Sequence, residues 1–170
     1  ELPKGQGLWP AFWLLGEQNR EIDVLECLGS DTKTAYNALH SPSTPALGNA
    51  LLEAIRTVTA KPVRRVILTH YHADHYYGLD PFRRAGAEIW AHAAARGFLG
   101  TDEPKRRLEQ RSRDLFPWVD EETPLVPAGR WLERDEAFTL GGVRFEVRHF
   151  GPAHSPEDLV VSLPQQGLVF

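Results

Sequence analysis

The sequence predicts an α/β domain that follows a short β-rich segment. From about residue 43 onward, helical and strand-like patterns alternate, which is typical of α/β folds. The first forty residues instead hold short apolar runs broken by Gly, Asn and Asp, which favours antiparallel strands. The stretch HSPSTPALG (40–48) joins the β-rich segment to the α/β part of the chain. We therefore predict two units, residues 1–42 and 43–170, and expect both ends of the chain to be cuts.

Composition excludes several classes of function. The 170 residues are 42% hydrophobic, enough for a core, and their net charge of -4 leaves no basic face for nucleic acid or for a membrane surface. No apolar run approaches the roughly 20 residues of a membrane span. Cys27 is the only cysteine, which excludes an intrachain disulfide and a Cys-rich zinc site. A tightly held metal would need His, Asp or Glu ligands.

The β-rich segment contains three strand-like runs, GLWPAFWLLG (7–16), EIDVLECLG (21–29) and TAYNALH (34–40). A helix is then expected to begin at Thr44 and Pro45, which suit the N-cap and the first turn. Apolar residues continue at helical spacing on one predicted buried face, at Leu47, Leu51, Ala54, Ile55 and Val58.

The remaining elements alternate along the chain. VRRVILT (63–69) predicts a buried strand, GLDPFRRAG (78–86) a short helix, and AEIWAH (87–92) a second strand. PKRRLEQRSRDLF (104–116) predicts a charged, solvent-facing helix. FTLGGVRFEVRHF (138–150) and LVVSLPQQGLVF (159–170) predict two hairpin-like strand pairs.

A dense group of metal-ligand residues follows the first of these strands, in THYHADHYYG (69–78). His70 and His72 are two apart, so on extended backbone both side chains project to one side. Asp74 and His75 follow as the chain turns, and they can reach a second point a few ångströms away. The arrangement suits two metal ions about 3.5–4 Å apart that activate water for hydrolysis. A ligand set without thiolates fits zinc, with manganese or iron as alternatives. The alternative interpretation is a polar loop with surface histidines that binds no metal.

The stretch THYHADHYYGL resembles the H-x-H-x-D-H signature of the metallo-β-lactamase superfamily, over about residues 44–170. The resemblance implies a partial αββα sandwich and a metal-dependent hydrolase acting on a small-molecule substrate. In GPAHSPEDLVV (151–161), His154 would complete a first zinc site with His70 and His72. Asp74 and His75 would bind a second zinc, and Asp74 would orient the water that the metals activate. That second site would lack two of its four expected protein ligands in this chain, so one or two Zn²⁺ ions are implied.

Other aromatic and imidazole side chains near this motif leave alternatives open. Tyr76 and Tyr77 either line the entrance to the site or pack beneath the following helix. We expect His40, His92 and His149 to be structural or exposed.

Three carboxylates in REIDVLECLG (20–29) form a second group of candidate catalytic residues. Glu21 and Asp23 share a strand face, whereas the odd offset to Glu26 places it on the other face unless one β-bulge intervenes. With the bulge, the two glutamates can approach the roughly 5–5.5 Å that a retaining glycosidase needs.

This segment resembles laminarinase-like β-glucanases of glycoside hydrolase family 16. The resemblance implies Glu21 as nucleophile, Asp23 as the helper between the two glutamates and Glu26 as acid/base, with Trp9 and Trp13 as structural and sugar-stacking residues. Only about forty residues of such a fold are here, so the alternative is that the carboxylates are inert.

Three hypotheses of function follow. The chain is a zinc-dependent hydrolase with a foreign leader, a retaining endo-β-glucanase acting on β-glucan, or a composite or truncated chain that binds metal without turnover. A splice of two families is our preferred account of the sequence itself.

Overall fold

The computed structural model describes residues 11–16, 20–26, 44–117 and 119–170. The chain divides into two compact units, residues 1–40 and 41–170, which are taken separately below. The predicted strand TAYNALH and the residues Trp9, Cys27 and His40 lie outside the described residues. The strands are β1 Ala11–Gly16, β2 Arg20–Glu26, β3 Arg65–Ile67, β4 Glu88–His92, β5 Arg130–Leu132, β6 Glu136–Leu140, β7 Val143–Arg148, β8 Val160–Leu163 and β9 Leu168–Val169. The helices are α1 Pro45–Val58, α2 Ala73–Tyr76, α3 Asp80–Arg84, α4 Arg96–Leu99 and α5 Glu103–Leu115, with a 3₁₀ turn at Ala93–Ala95.

In the first unit, β1 and β2 form the predicted antiparallel pair. Phe12 pairs with Leu25 and Trp13 pairs with Asp23, so Val24 has no partner across the ladder. This extra residue is a β-bulge, and it falls between Glu21 and Glu26. The backbone irregularity that the carboxylate hypothesis requires is therefore present.

The second unit contains two sheets, and its mixed α/β architecture confirms the predicted fold class. Strands β3, β4 and β5 are parallel and lie side by side in that order. Strands β6, β7, β8 and β9 form an antiparallel meander. The two predicted hairpins are thus joined into one sheet, because β7 also pairs with β8 through Val147 and Val161.

Helix α1 begins as predicted, but its buried face differs. The Thr44 hydroxyl accepts a hydrogen bond from the Leu47 backbone N–H at 3.2 Å, and Pro45 occupies the first turn. Leu47 is 53% exposed and Ala54 is also exposed, so the prediction that both face the core was wrong. The buried stripe instead contains Gly48, Leu51, Leu52 and Ile55.

Gly48 explains the rotated face of α1. A Cβ atom at this position would lie 2.4 Å from the Gly78 carbonyl oxygen and 3.1 Å from the Pro81 side chain. The glycine therefore permits close contact between α1 and the start of α3. Leu52 and Phe82 fill the small core beside this contact.

The strand predicted at 63–69 is longer, and was expected to be more buried, than the strand in the structure. Its regular part is only Arg65–Ile67, and all three residues are half-buried. The central strand is β4: Ile89 and Ala91 pack among helical residues, whereas Trp90 packs against the second sheet. The alternation follows from the two-residue period of a strand with both faces covered.

The core between the two sheets positions the ends of β3 and β4. Trp90 and Leu132 from the parallel sheet contact Val147, Leu159 and Val161 from the meander or its preceding loop. In the second unit the described residues form three layers, which are helices, a parallel sheet and an antiparallel sheet. Within that part of the chain, no helix is long and apolar enough to cross a membrane.

Candidate metal centre

The first two histidines of the predicted cluster lie where β3 ends. The Leu68 N–H donates to the Trp90 carbonyl, which continues the contact with β4 up to the loop. The Leu159 N–H donates to the Thr69 carbonyl and joins this loop to the one that carries His154. The backbone remains extended at His72 and turns into the short helix α2 at Ala73.

His70, His72 and His154 converge, as their predicted roles require. One ring nitrogen from each lies within 4.8 Å of the other two. The three rings are close to mutually perpendicular, with interplanar angles of 77°, 83° and 88° and centroids 4.6–4.8 Å apart. His72 Nδ1 and His154 Nε2 are 2.9 Å apart and share a hydrogen bond. Three imidazole edges are thus directed at one small volume.

Electrostatics keeps the two deeper imidazoles neutral. Burial lowers the pKa of His70 to about 3, and the neighbouring rings of His75, His72 and His154 act in the same direction. Burial also lowers the pKa of His72, with His154 and Arg107 contributing, while Asp74 opposes the shift. Neutral imidazoles keep the lone pairs that a metal ligand needs.

The donor set fits zinc. Zinc–imidazole bonds of about 2.0–2.1 Å in a tetrahedral site place ligand nitrogens about 3.3 Å apart. That separation lies between the 2.9 Å that separates His72 Nδ1 from His154 Nε2 and the 4.8 Å within which all three ligand nitrogens lie. Three nitrogen ligands without thiolate match open zinc sites, in which a fourth position takes water or substrate.

Asp74 and His75 lie beside this cluster on α2. Their side chains are in contact, with His75 Nε2 3.1 Å from Asp74 Oδ2. The His75 ring centroid is 4.1 Å from that of His70. The assignment of these two side chains to a second metal stays a prediction.

The loop that carries His154 is held by two acidic residues that the sequence analysis did not identify. Asp158 accepts hydrogen bonds from the backbone N–H groups of His154 and Ser155, at 2.6 and 2.9 Å, and from the Ser155 hydroxyl at 2.6 Å. Burial opposes ionisation of Asp158, but the hydrogen bonds from Ser155 and His154 outweigh it and lower the pKa of the carboxyl. The spacing in SPED (155–158), a hydroxyl three residues before a carboxylate, is the local signal for this turn.

Glu157 connects the two loops of the centre. It is 2% exposed, and its Oε1 accepts a hydrogen bond from the Tyr71 backbone N–H at 3.1 Å. The partner lies 86 residues away in sequence, so no local pattern pointed to this contact.

The other residues near the centre have structural surroundings. Tyr76 and Tyr77 are buried in the core, which supports packing over a place at the entrance. Burial raises the pKa of Tyr76 to about 12. His92 and His149 stack on each other, with centroids 3.8 Å apart. His149 Nδ1 lies 3.0 Å from the Asp158 carbonyl oxygen.

The structure describes the backbone of β2 alone at Glu21, Asp23 and Glu26. It therefore fixes their register positions and leaves the positions of their carboxylates outside the described part of the chain. Their catalytic roles stay predictions.

Comparison with known families agrees with the fold. The family model for the metallo-beta-lactamase superfamily matches residues 29–170, most of the chain. The chain belongs to this superfamily. Membership of the metallo-beta-lactamase superfamily supports a metal-dependent hydrolase in general and leaves the substrate open.

Solved metallo-beta-lactamases share the fold at low sequence identity. An enzyme from Pontibacter korlensis is 19% identical with a TM-score of 0.61, and the match covers 100% of this chain and 69% of that one. FIM-1 from Pseudomonas aeruginosa, in its mono-zinc form, is 19% identical with a TM-score of 0.57, covering 95% and 62% of the two chains. A protein from Hirschia baltica is 17% identical with a TM-score of 0.55, covering 95% and 64%.

A second likeness involves a much shorter stretch. The chain is 45% identical over 47 residues to the endo-1,3-1,4-beta-glycanases ExsH and EglC of Rhizobium meliloti (strain 1021). In each case the match covers 26% of this chain and 10% of the glycanase, so the chain spans about a tenth of the length of these relatives.

Proposed function

We propose that this chain carries the metal site of a zinc-dependent hydrolase, with His70, His72 and His154 as ligands of the first zinc. The convergence of three imidazole nitrogens within 4.8 Å supports the proposal most directly. The lowered pKa values of His70 and His72 support it as well, because protonated imidazole cannot bind a metal. Asp74 and His75 are proposed as ligands of a second ion.

Zinc in such a site acts as a Lewis acid and lowers the pKa of bound water. The side chains have separate tasks around it. Asp74 would accept a hydrogen bond from a water through its carboxylate and so orient that water toward an electrophilic carbonyl, sulfur or phosphorus centre. Asp158 fixes the backbone turn that carries His154, and Glu157 holds this loop against the His70 loop, so the imidazoles are preorganised.

Native mass spectrometry of the purified chain would test metal binding. We expect about one or two zinc ions per wild-type chain, because three converging imidazoles form a complete first site. The double variant His72→Ala, His154→Ala should lose the zinc of that site. The double variant His92→Ala, His149→Ala removes the same number of imidazoles outside the cluster and should keep it. Equal zinc content in both double variants would contradict the proposal.

Turnover requires a separate assay. Hydrolysis of a chromogenic lactam or ester should be abolished by a chelator and restored by added zinc. Zinc binding without hydrolysis would instead favour a composite chain that binds metal without turnover.

A second candidate function is a retaining β-glucanase that uses Glu21 and Glu26. The bulge between these residues and the similarity to the Rhizobium glycanases favour it. Release of reducing ends from a β-1,3-glucan, insensitive to chelator and lost in Glu21→Gln, would support this candidate over the metal-dependent one.

A further inference from the structure

One side of the histidine cluster is formed by Tyr71, Phe98 and Arg107, which we call the aromatic wall. The Tyr71 ring stacks on Phe98 of α4, with centroids 3.9 Å apart and an interplanar angle of 22°. The same ring meets His72 edge to face, at 4.9 Å and 79°. The wall therefore extends directly from a proposed metal ligand, and both aromatic rings are only half-buried.

Arg107 of α5 lies beside this stack rather than over it. Its guanidinium carbon is 5.1 Å from the Tyr71 ring centroid and 5.3 Å from that of Phe98. A point almost equally distant from two stacked rings lies at their edges. Ring edges carry the positive end of the aromatic quadrupole, so they stabilise a cation poorly.

The positive charge of Arg107 is also weakly compensated by acidic groups. Its ion pair with Glu103 is long, 3.8 Å between Nε and Oε1, and Glu103 also pairs with Arg106. The Arg107 side chain is 44% exposed and so can be reached by a ligand. Tyr71 connects Arg107 to the cluster, since its ring lies next to both the guanidinium and the His72 ring.

We propose that Arg107 is a specificity-determining residue that selects substrates with a carboxylate near the bond to be hydrolysed. This inference rests on the proposed function, because it places the reacting group at the metal and the carboxylate at the wall. A guanidinium offers several N–H donors in a plane, which suits a carboxylate. Aliphatic atoms between the two groups would lie against Tyr71.

A matched pair of ligands isolates the carboxylate. Glutarate and pentanoate have the same number of carbon atoms and differ in the second carboxylate. Titration calorimetry on the zinc-loaded chain measures their binding without turnover. The corresponding 4-nitrophenyl monoesters measure kcat/KM for an anionic and a neutral substrate.

Arg107→Gln is the test variant, because glutamine keeps part of the aliphatic stem and removes the charge. We expect the preference for glutarate over pentanoate, and the ratio of kcat/KM for the two esters, to fall about tenfold for this half-exposed contact. Arg107→Lys should restore much of the preference. Salt at about 1 M should weaken it in the wild type, since the Debye length is then about 3 Å.

Arg113→Gln is the matched control, as it removes the same charge from an exposed position six residues further along α5, away from Glu103, and should leave the preference unchanged. Glu103→Gln is a second test, which keeps Arg107 in place and so does not depend on whether an Arg107 variant folds. It removes the carboxylate paired with Arg107 and should strengthen the preference for glutarate. Zinc content is measured on every variant.

The outcomes separate the two proposals. Zinc-loaded variants of Arg107 and Glu103 that keep the wild-type preference for glutarate would overturn the role of Arg107 and leave the metal site standing. A wild-type chain that retains no zinc would contradict the proposed function, and this inference with it.

Discussion

Glu157 joins the two loops of the metal centre as a buried carboxylate. Burial raises the pKa of Glu157, while hydrogen bonds from backbone N–H groups, including that of Tyr71, act in the opposite direction. The net upward shift means that the folded chain binds a proton at this residue more readily than the unfolded chain does. The ionised form of Glu157 therefore destabilises the folded chain at neutral pH.

The free energy of unfolding should therefore depend on pH through Glu157. The contribution of Glu157 is fully present below the ordinary pKa of 4.5 and is lost as the pH rises through the higher folded-state pKa. In Glu157→Gln the side-chain oxygen can still accept from Tyr71, and no charge is buried. We expect this variant to equal or exceed the wild type at neutral pH and to lose that advantage below pH 4.5, as measured by urea unfolding across pH.

Glu133→Gln provides the control for that experiment. Glu133 has a 72% exposed side chain in a 3.4 Å ion pair with Arg96. Its replacement should leave the pH dependence unchanged, because exposed ion pairs contribute little. A parallel pH profile for all three proteins would contradict the assigned role of Glu157.

At the scale of secondary-structure elements, the contact between α1 and α3 depends on one missing methyl group. Gly48 lies against the backbone of Gly78, and Gly78 ends the segment that carries the histidine cluster. Backbone cannot move aside as a flexible side chain can, so this contact tolerates no larger residue without displacement of the helix.

Gly48→Ala should therefore destabilise the chain by about 1–3 kcal/mol, the usual range for overpacking. Gly97→Ala is the matched substitution, because Gly97 also lies in a helix but a Cβ there would meet no atom within 4 Å. It should be neutral or stabilising by up to about 1 kcal/mol, from helix propensity. Equal unfolding free energies of the two variants, in urea titrations, would rule out the close contact.

Local signals account for most of what the sequence predicted correctly. The N-cap at Thr44 and the Gly-Gly turn between β6 and β7 determine their elements through neighbours a few residues away. The buried face of α1 could not be predicted, since it is set by Gly78, thirty positions further on. The pairing of β7 with β8 also bridges a loop of residues 149–159, which is too long for a hairpin signal.

The residues of the site likewise divide into those with a local sequence signal and those placed by distant contacts. His70 and His72 were predictable because their spacing and their place after a strand carry the signal. The contributions of Glu157 and Arg107 arise from contacts with Tyr71, which are distant in sequence and depend on how loops and helices meet. The division into residues 1–42 and 43–170, and the composite origin of the chain, stay predictions.

At the scale of the whole second unit, the metal centre links its two sheets. His70 and His72 follow β3 of the parallel sheet, and His154 lies between β7 and β8 of the meander. A bound ion would therefore hold the sheets together in addition to their shared apolar core.

Zinc should accordingly raise the midpoint of thermal unfolding. At a free zinc concentration of 100 times Kd the expected stabilisation is about 2.7 kcal/mol. A chelator should return the midpoint to that of the His72→Ala, His154→Ala variant, whereas His92→Ala, His149→Ala should still respond to zinc. A midpoint that is independent of zinc in the wild type would argue against a metal bridge between the sheets.

The hydrogen bond between His72 and His154 spans 82 residues of chain. During synthesis on a ribosome, the first two imidazoles emerge long before the third, and closing so long a loop carries an entropic penalty that only the docked sheets can offset. A nascent chain thus presents an incomplete ligand set to the metal pool of the cell. We therefore expect tight metal binding to follow the docking of the two sheets rather than to precede it.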